Sequence, residues 1–128
     1  MKRNRQMKKN FVTALLAGAL SLTATSALAY DLSQSPEAVE KFITEALKHA
    51  NEALGHAQKG HAPETAEHAR AASAQADEAV SEHAAMDIEQ AQNRLNTAIV
   101  AADKGDAAAA VAPLQESVAK LTAALNAL

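Results

Sequence analysis

Alanine fills 28 of the 99 positions from Tyr30 to Leu128, a stretch in which only Tyr30 and Phe42 are aromatic and only Gly55, Gly60 and Gly105 are glycine. A chain so poor in aromatic and β-branched runs has no material for a sheet core, whereas alanine has the best intrinsic helix propensity. The apolar residues recur with the helical period. Val39, Phe42, Ile43, Ala46, Ala50, Ala53, Leu54 and Ala57 form one stripe of a first helix, predicted from about Pro36 to Lys59. Ser35 serves as its cap, Pro36 sits in its first turn, and Gly60 ends it. Pro63 opens a second helix whose small stripe is Thr65, Ala66, Ala69, Ala72, Ser73, Ala76 and Val80. The next break is placed near Asp87, which with Gln90 three residues on resembles a capping box. A third helix from about Ile88 to Lys104 presents Ala91, Leu95, Ala98, Ile99 and Ala102 and ends at Gly105. Asp106 can cap a fourth, carrying Val111, Leu114, Val118, Leu121, Ala124, Leu125 and Leu128, which Pro113 is expected to kink or break.

An internal repeat groups these helices in pairs. A shift of 45 residues lays EALGHAQKGHA (52–62) over TAIVAADKGDA (97–107), so that the turns Lys59-Gly60 and Lys104-Gly105 coincide. The predicted fold is therefore all-α, an antiparallel up-down four-helix bundle built from two helical hairpins, residues 36–81 and 87–127, in one domain over residues 30–128. Small core residues bury little area each, so the stability expected of it is modest.

The first 29 residues read as a secretion signal. Lys2, Arg3, Arg5, Lys8 and Lys9 make a positive start, Phe11 to Leu22 an apolar core, and Ala27-Leu28-Ala29 a small-x-small site for cleavage before Tyr30. That core falls short of the ~20 apolar residues that a membrane span needs. Arg3 and Arg5 are split by Asn4, which points to the general secretion route and a periplasmic protein with no membrane attachment after cleavage. Cleavage would leave seven basic against fifteen acidic residues, a formal charge of −8 with histidine neutral. Such a chain is a poor partner for nucleic acid, whose binding runs on clustered Lys and Arg, and a better host for cations. With no cysteine there is no disulfide framework, thiolate metal site or covalent haem attachment.

Four histidines fall in one polar, alanine-rich stretch, EALKHANEALGHAQKGHAPETAEHARAA, at His49, His56, His61 and His68. Histidine is the commonest protein ligand for transition metals, and nothing else in the chain looks like equipment for chemistry. The seven-residue steps His49/His56 and His61/His68 rise ~10.5 Å along a helix, too far for both rings to hold one ion with bonds of about 2 Å. Each of three histidines instead has a glutamate one turn before it, at Glu45/His49, Glu52/His56 and Glu64/His68. A mixed imidazole and carboxylate site completed by water suits Cu(II), Ni(II) or Zn(II). Folding the hairpin at Gly60 puts His68 between the levels of His49 and His56, and His61 within a turn of His56. The four rings should then either converge along one seam or all face away from it. His83, alone in an expected loop, reads as a solvated residue. An enzyme is not expected: there is no glycine-rich phosphate loop, no E-x-x-H pair of the di-iron bundles, and no roomy core for haem.

The pattern A-L-K-H-A, E-A-L-G-H-A, K-G-H and E-H-A between Ala46 and Ala72 is similar to the small metal-binding protein family. That resemblance implies an exported histidine-rich four-helix bundle that sequesters or buffers divalent transition metals, copper prominently and nickel or zinc also, with metal ions as its partners. The metal-site residues it and the spacing point to are His49, His56, His61, His68, Glu45, Glu52 and Glu64. The second hairpin departs from the pattern, since the 45-residue shift pairs those four histidines with Arg94, Ala101, Asp106 and Pro113. A second reading is accordingly a periplasmic interaction or structural bundle that has lost most of the family's metal sites.

Overall fold

A computed structural model describes residues 34–128; the predicted signal and the cleavage point before Tyr30 lie outside the described residues. Four helices follow one another: α1 (Pro36–Gln58), α2 (Ala62–Glu78), α3 (Ala85–Asp103) and α4 (Ala107–Asn126). Each packs on its neighbours in sequence, and α4 returns against α1, so the four close a ring in up-down-up-down order.

Local chemistry explains most of the boundaries. Ser35 Oγ accepts a hydrogen bond from Ala38 N at 3.2 Å, and Pro36 occupies the first turn, where its missing N–H costs nothing. The end of α1 is a Schellman turn: Gly60 at φ +77° lets Gly60 N reach Ala57 O at 3.1 Å and His61 N reach His56 O at 2.9 Å. The same turn recurs 45 residues on, with Gly105 at φ +82°, Gly105 N on Ala102 O at 2.9 Å and Asp106 N on Ala101 O at 3.0 Å. The two hairpins thus share backbone geometry as well as letters.

Two expectations need correction. Asp87 lies inside the first turn of α3 and does not cap it; Ala84 stands at the cap position, and Ser81 Oγ accepts from Ala84 N at 3.3 Å. The end of α2 is fastened from far away, by Gln34, whose Nε2 donates to Glu78 O at 2.6 Å and whose Oε1 accepts from Val80 N at 2.9 Å. Pro113, second, does not break α4, which runs unbroken from Ala107 to Asn126. The carbonyl it leaves without an intrahelical donor belongs to Ala109, which is exposed and can turn to water, and the neighbouring alanines crowd the ring little.

The core is thin and small-celled. Val39 and Ile43 of α1, Ile88 and Leu95 of α3 and Leu114 and Leu121 of α4 are its large side chains, all nearly inaccessible. From Ala46 onward every buried residue of α1 is alanine, and α2 buries only Ala62, Ala66, Ala69, Ala72, Ala76 and Thr65. Helix separation follows the size of the side chains between the axes, so these two helices approach closely. The two buried hydroxyls among the described residues have partners, Thr65 Oγ1 donating to His61 O at 2.6 Å and Ser117 Oγ to Ala91 O at 3.3 Å. Val80 and Leu128, expected on core stripes, lie beyond the helix ends and are exposed.

Candidate metal centre

On α1 the steps from His49 to Glu52 and to His56 rotate the side chain by ~300° and ~700°, which leaves all three within about 60° of one another. The stripe looks onto α2, and the alanine contact between the two helices brings α2's own polar edge against it. His68 comes level with it there. Glu52 Oε2 lies 2.7 Å from His68 Nδ1 and 3.7 Å from His49 Nδ1. One ligand atom from each of His49, Glu52 and His68 can be chosen so that all three lie within 4.8 Å of one another.

The rings form a ladder along the seam, alternating between helices. His49 stacks on His68 with centroids 6.0 Å apart, His68 on His56 at 5.1 Å and 8° from parallel, and His56 meets His61 at 5.8 Å. Of the two arrangements open from sequence, convergence is the one adopted. His49 and His68 are about a quarter exposed and Glu52 about a third, so the group is open to exchange on one side.

Donor chemistry fits a metal ion. His49 Nδ1 is buried and, among the described residues, is the one buried side-chain nitrogen or oxygen without a hydrogen-bond partner. Such an atom carries a desolvation cost that a Lewis acid would offset. Two ligands on one ion with bonds near 2.05 Å stand at most about 4.1 Å apart. A widest spacing of up to 4.8 Å therefore asks for a side-chain adjustment of well under an ångström to about one. The 2.7 Å contact is also what a neutral His68 makes when Nδ1–H donates to the carboxylate, the arrangement by which a carboxylate orients a ligating imidazole through the opposite nitrogen.

The other sequence-derived candidates fall as follows. His56 and His61 are on the ladder but outside the three-ligand group. Glu52 turns to His49, one turn earlier, and across to His68 rather than to His56. Glu45 is half-buried and Glu64 exposed, and neither lies within 4 Å of a histidine nitrogen. Glu45 sits below the level of His68, where α2 offers Ala72 and Ala76, and Glu64 occupies the outer side of the first turn of α2. His83 is exposed in the α2–α3 connection, at the far end of α2 from His61. Sequence reasoning named every member of the three-ligand group; it missed that Glu52 bridges helices, a pairing visible only once the hairpin is closed.

The second hairpin fills its matching seam with permanent charge. Arg94, which the repeat pairs with His49, reaches Glu116 across α3 and α4 at 2.6 Å, and Lys120 lies 3.8 Å from Asp87. Asp106, paired with His61, caps α4 by accepting from Ala109 N at 3.0 Å.

This chain belongs to the small metal-binding protein family, which matches it over residues 8–124. No curated protein matches it significantly. With that membership as premise, the histidine seam is the place in the fold where the family's name acquires donor atoms.

Proposed function

We propose that this member of the family is an exported protein that sequesters or buffers divalent transition-metal ions, copper in preference to nickel and zinc, on the His and Glu side chains of its first hairpin. The observation that carries the reading is the group His49, Glu52 and His68, three donors from two helices around one point. Neutral imidazole with carboxylate is a borderline donor set, and on such a set Cu(II) heads the divalent series. The group is partly open and short of a full coordination shell, so water completes it and the ion can leave. That suits holding and releasing an ion as cargo. No side chain is assigned a catalytic role. Export rests on the charged start, short apolar core and Ala27-Leu28-Ala29 site; the test is terminal sequencing of the protein recovered from a periplasmic extract, expected to begin at Tyr30. Recovery only from the cytoplasm with its first residues intact would overturn export.

Metal binding is tested by titrating untagged protein with Cu(II), Ni(II) and Zn(II) beside a variant carrying H49A, H56A, H61A and H68A. The natural sequence should bind Cu(II) most tightly and the variant should bind little. Equal binding by the two proteins would remove the reading and favour a bundle that has lost its metal function.

A further inference from the structure

We propose a second metal position on the seam, made by His56 and His61 at the α1–α2 turn and filled after the three-ligand group; the inference rests on the metal-buffering reading. The Schellman turn sets it up, because the bond from His61 N to His56 O at 2.9 Å closes residues 56 and 61 into one backbone loop. Their rings then meet Nδ1 to Nδ1 at 3.5 Å, tilted by 41°. As a hydrogen bond that distance is at the outer limit. As the gap between two ligands it suits one ion: with bonds of about 2.05 Å it corresponds to an angle of roughly 117° at the ion. His61 is exposed and His56 half-buried, so water can complete the shell.

The duplicate turn shows that the fold does not need these histidines. At Gly105 the same backbone is built with Ala101 and Asp106, and Asp106 uses its carboxylate to cap α4. His61 stands at the equivalent cap of α2 and makes no side-chain cap bond. Histidine is not among the preferred N-caps, so the first hairpin forgoes stabilisation that the second one takes. A local rule broken without structural return marks a functional position.

The two positions are neighbours. His68, a member of the three-ligand group, stacks on His56 at 5.1 Å. A second dication is repelled by the first and has fewer protein donors, so its affinity should be lower by about tenfold or more.

The test is Cu(II) titration of untagged protein, read by native mass spectrometry and calorimetry, with His61→Gln and a His49→Gln, Glu52→Gln double variant alongside and far-ultraviolet circular dichroism as the control for folding. The natural sequence should take two ions in two steps. His61→Gln should keep the first step within about threefold and lose the second, and the double variant should lose the first and keep the weaker one. The second equivalent should broaden the Cu(II) paramagnetic resonance signal, and not in His61→Gln. Two ions bound by His61→Gln, or one ion bound alike by His61→Gln and the natural sequence, would overturn the second position while leaving metal buffering intact. No binding by any of the proteins would overturn both.

Discussion

Replacing Glu52 by glutamine tests the three-ligand group most directly, because it changes charge and ligand strength with almost no change of shape. His61→Gln is the suitable background, leaving one metal position to be read. Without metal the effect should be small. Glu52 is about a third exposed and its 2.7 Å contact to His68 is a half-solvated one, so the loss is expected at about 1 kcal/mol or less. With metal it should be large. Removing a carboxylate that either ligates the ion or holds a ligating imidazole typically weakens binding by about 10–100-fold. An ion that binds only the folded chain stabilises it by RT ln(1 + [L]/Kd), which is about 2.7 kcal/mol at a free concentration one hundred times Kd. After a hundredfold weakening the same concentration gives only about 0.4 kcal/mol. For a domain of this size 1 kcal/mol moves Tm by roughly 4–8 °C, so a metal-induced shift of roughly 11–22 °C should fall to about 2–3 °C. The assay is thermal unfolding followed by far-ultraviolet circular dichroism, with and without Cu(II) at fixed free concentration. An undiminished metal-induced shift in the Glu52→Gln protein would refute the placement of the ion between His49 and His68.

Three further outcomes follow from the same structure. Leu95→Ala, at a fully buried position with mostly alanine around it, should cost about 2–5 kcal/mol, seen as a lower urea midpoint with unchanged helical signal before the transition. Gly60→Ala should destabilise by about 1–2 kcal/mol because Gly60 holds φ +77°, whereas Gly55→Ala, in a helical position whose added Cβ meets nothing within 4 Å, should stabilise by about 0.5–1 kcal/mol; melting curves of the pair check both signs. Acidification from about pH 7.5 to about pH 5 should release the ion, since a ligating imidazole must be deprotonated, and competition with a metal indicator dye would measure it.

The helices were legible wherever their ends are written in local chemistry. Ser35-Pro36 and Lys59-Gly60 fix α1 to within a residue, and the repeated Lys-Gly pair gave the hairpin period. The α2–α3 boundary was not legible, because it is held by the side chain of Gln34, more than forty residues earlier in the chain. The break that Pro113 allows is absent for a related reason: the rule is local, and the exposure of Ala109, whose carbonyl loses its donor, depends on which face of α4 meets water. At the site, helical spacing sets His49 and His56 two turns apart, and the three-ligand group takes His49 without His56. The same counting paired Glu52 with His56, because it looks along one helix, whereas the partner in the folded chain is His68 on the other. Whether the rings converged or diverged turned on the alanine contact between α1 and α2, a property of two faces at once.

The repeated Schellman turn separates loading from folding. Its backbone is the same whether residues five apart are His56 and His61 or Ala101 and Asp106, and the ladder positions lie outside the sealed interior of the bundle. The number of imidazoles on such a scaffold can therefore drift in either direction by exchanges at a few seam positions, each trading an ion pair or a cap for an imidazole at a cost of about 1 kcal/mol. One lineage of the same four helices can thus carry many imidazoles and another few, while the residues that make it fold stay as they are.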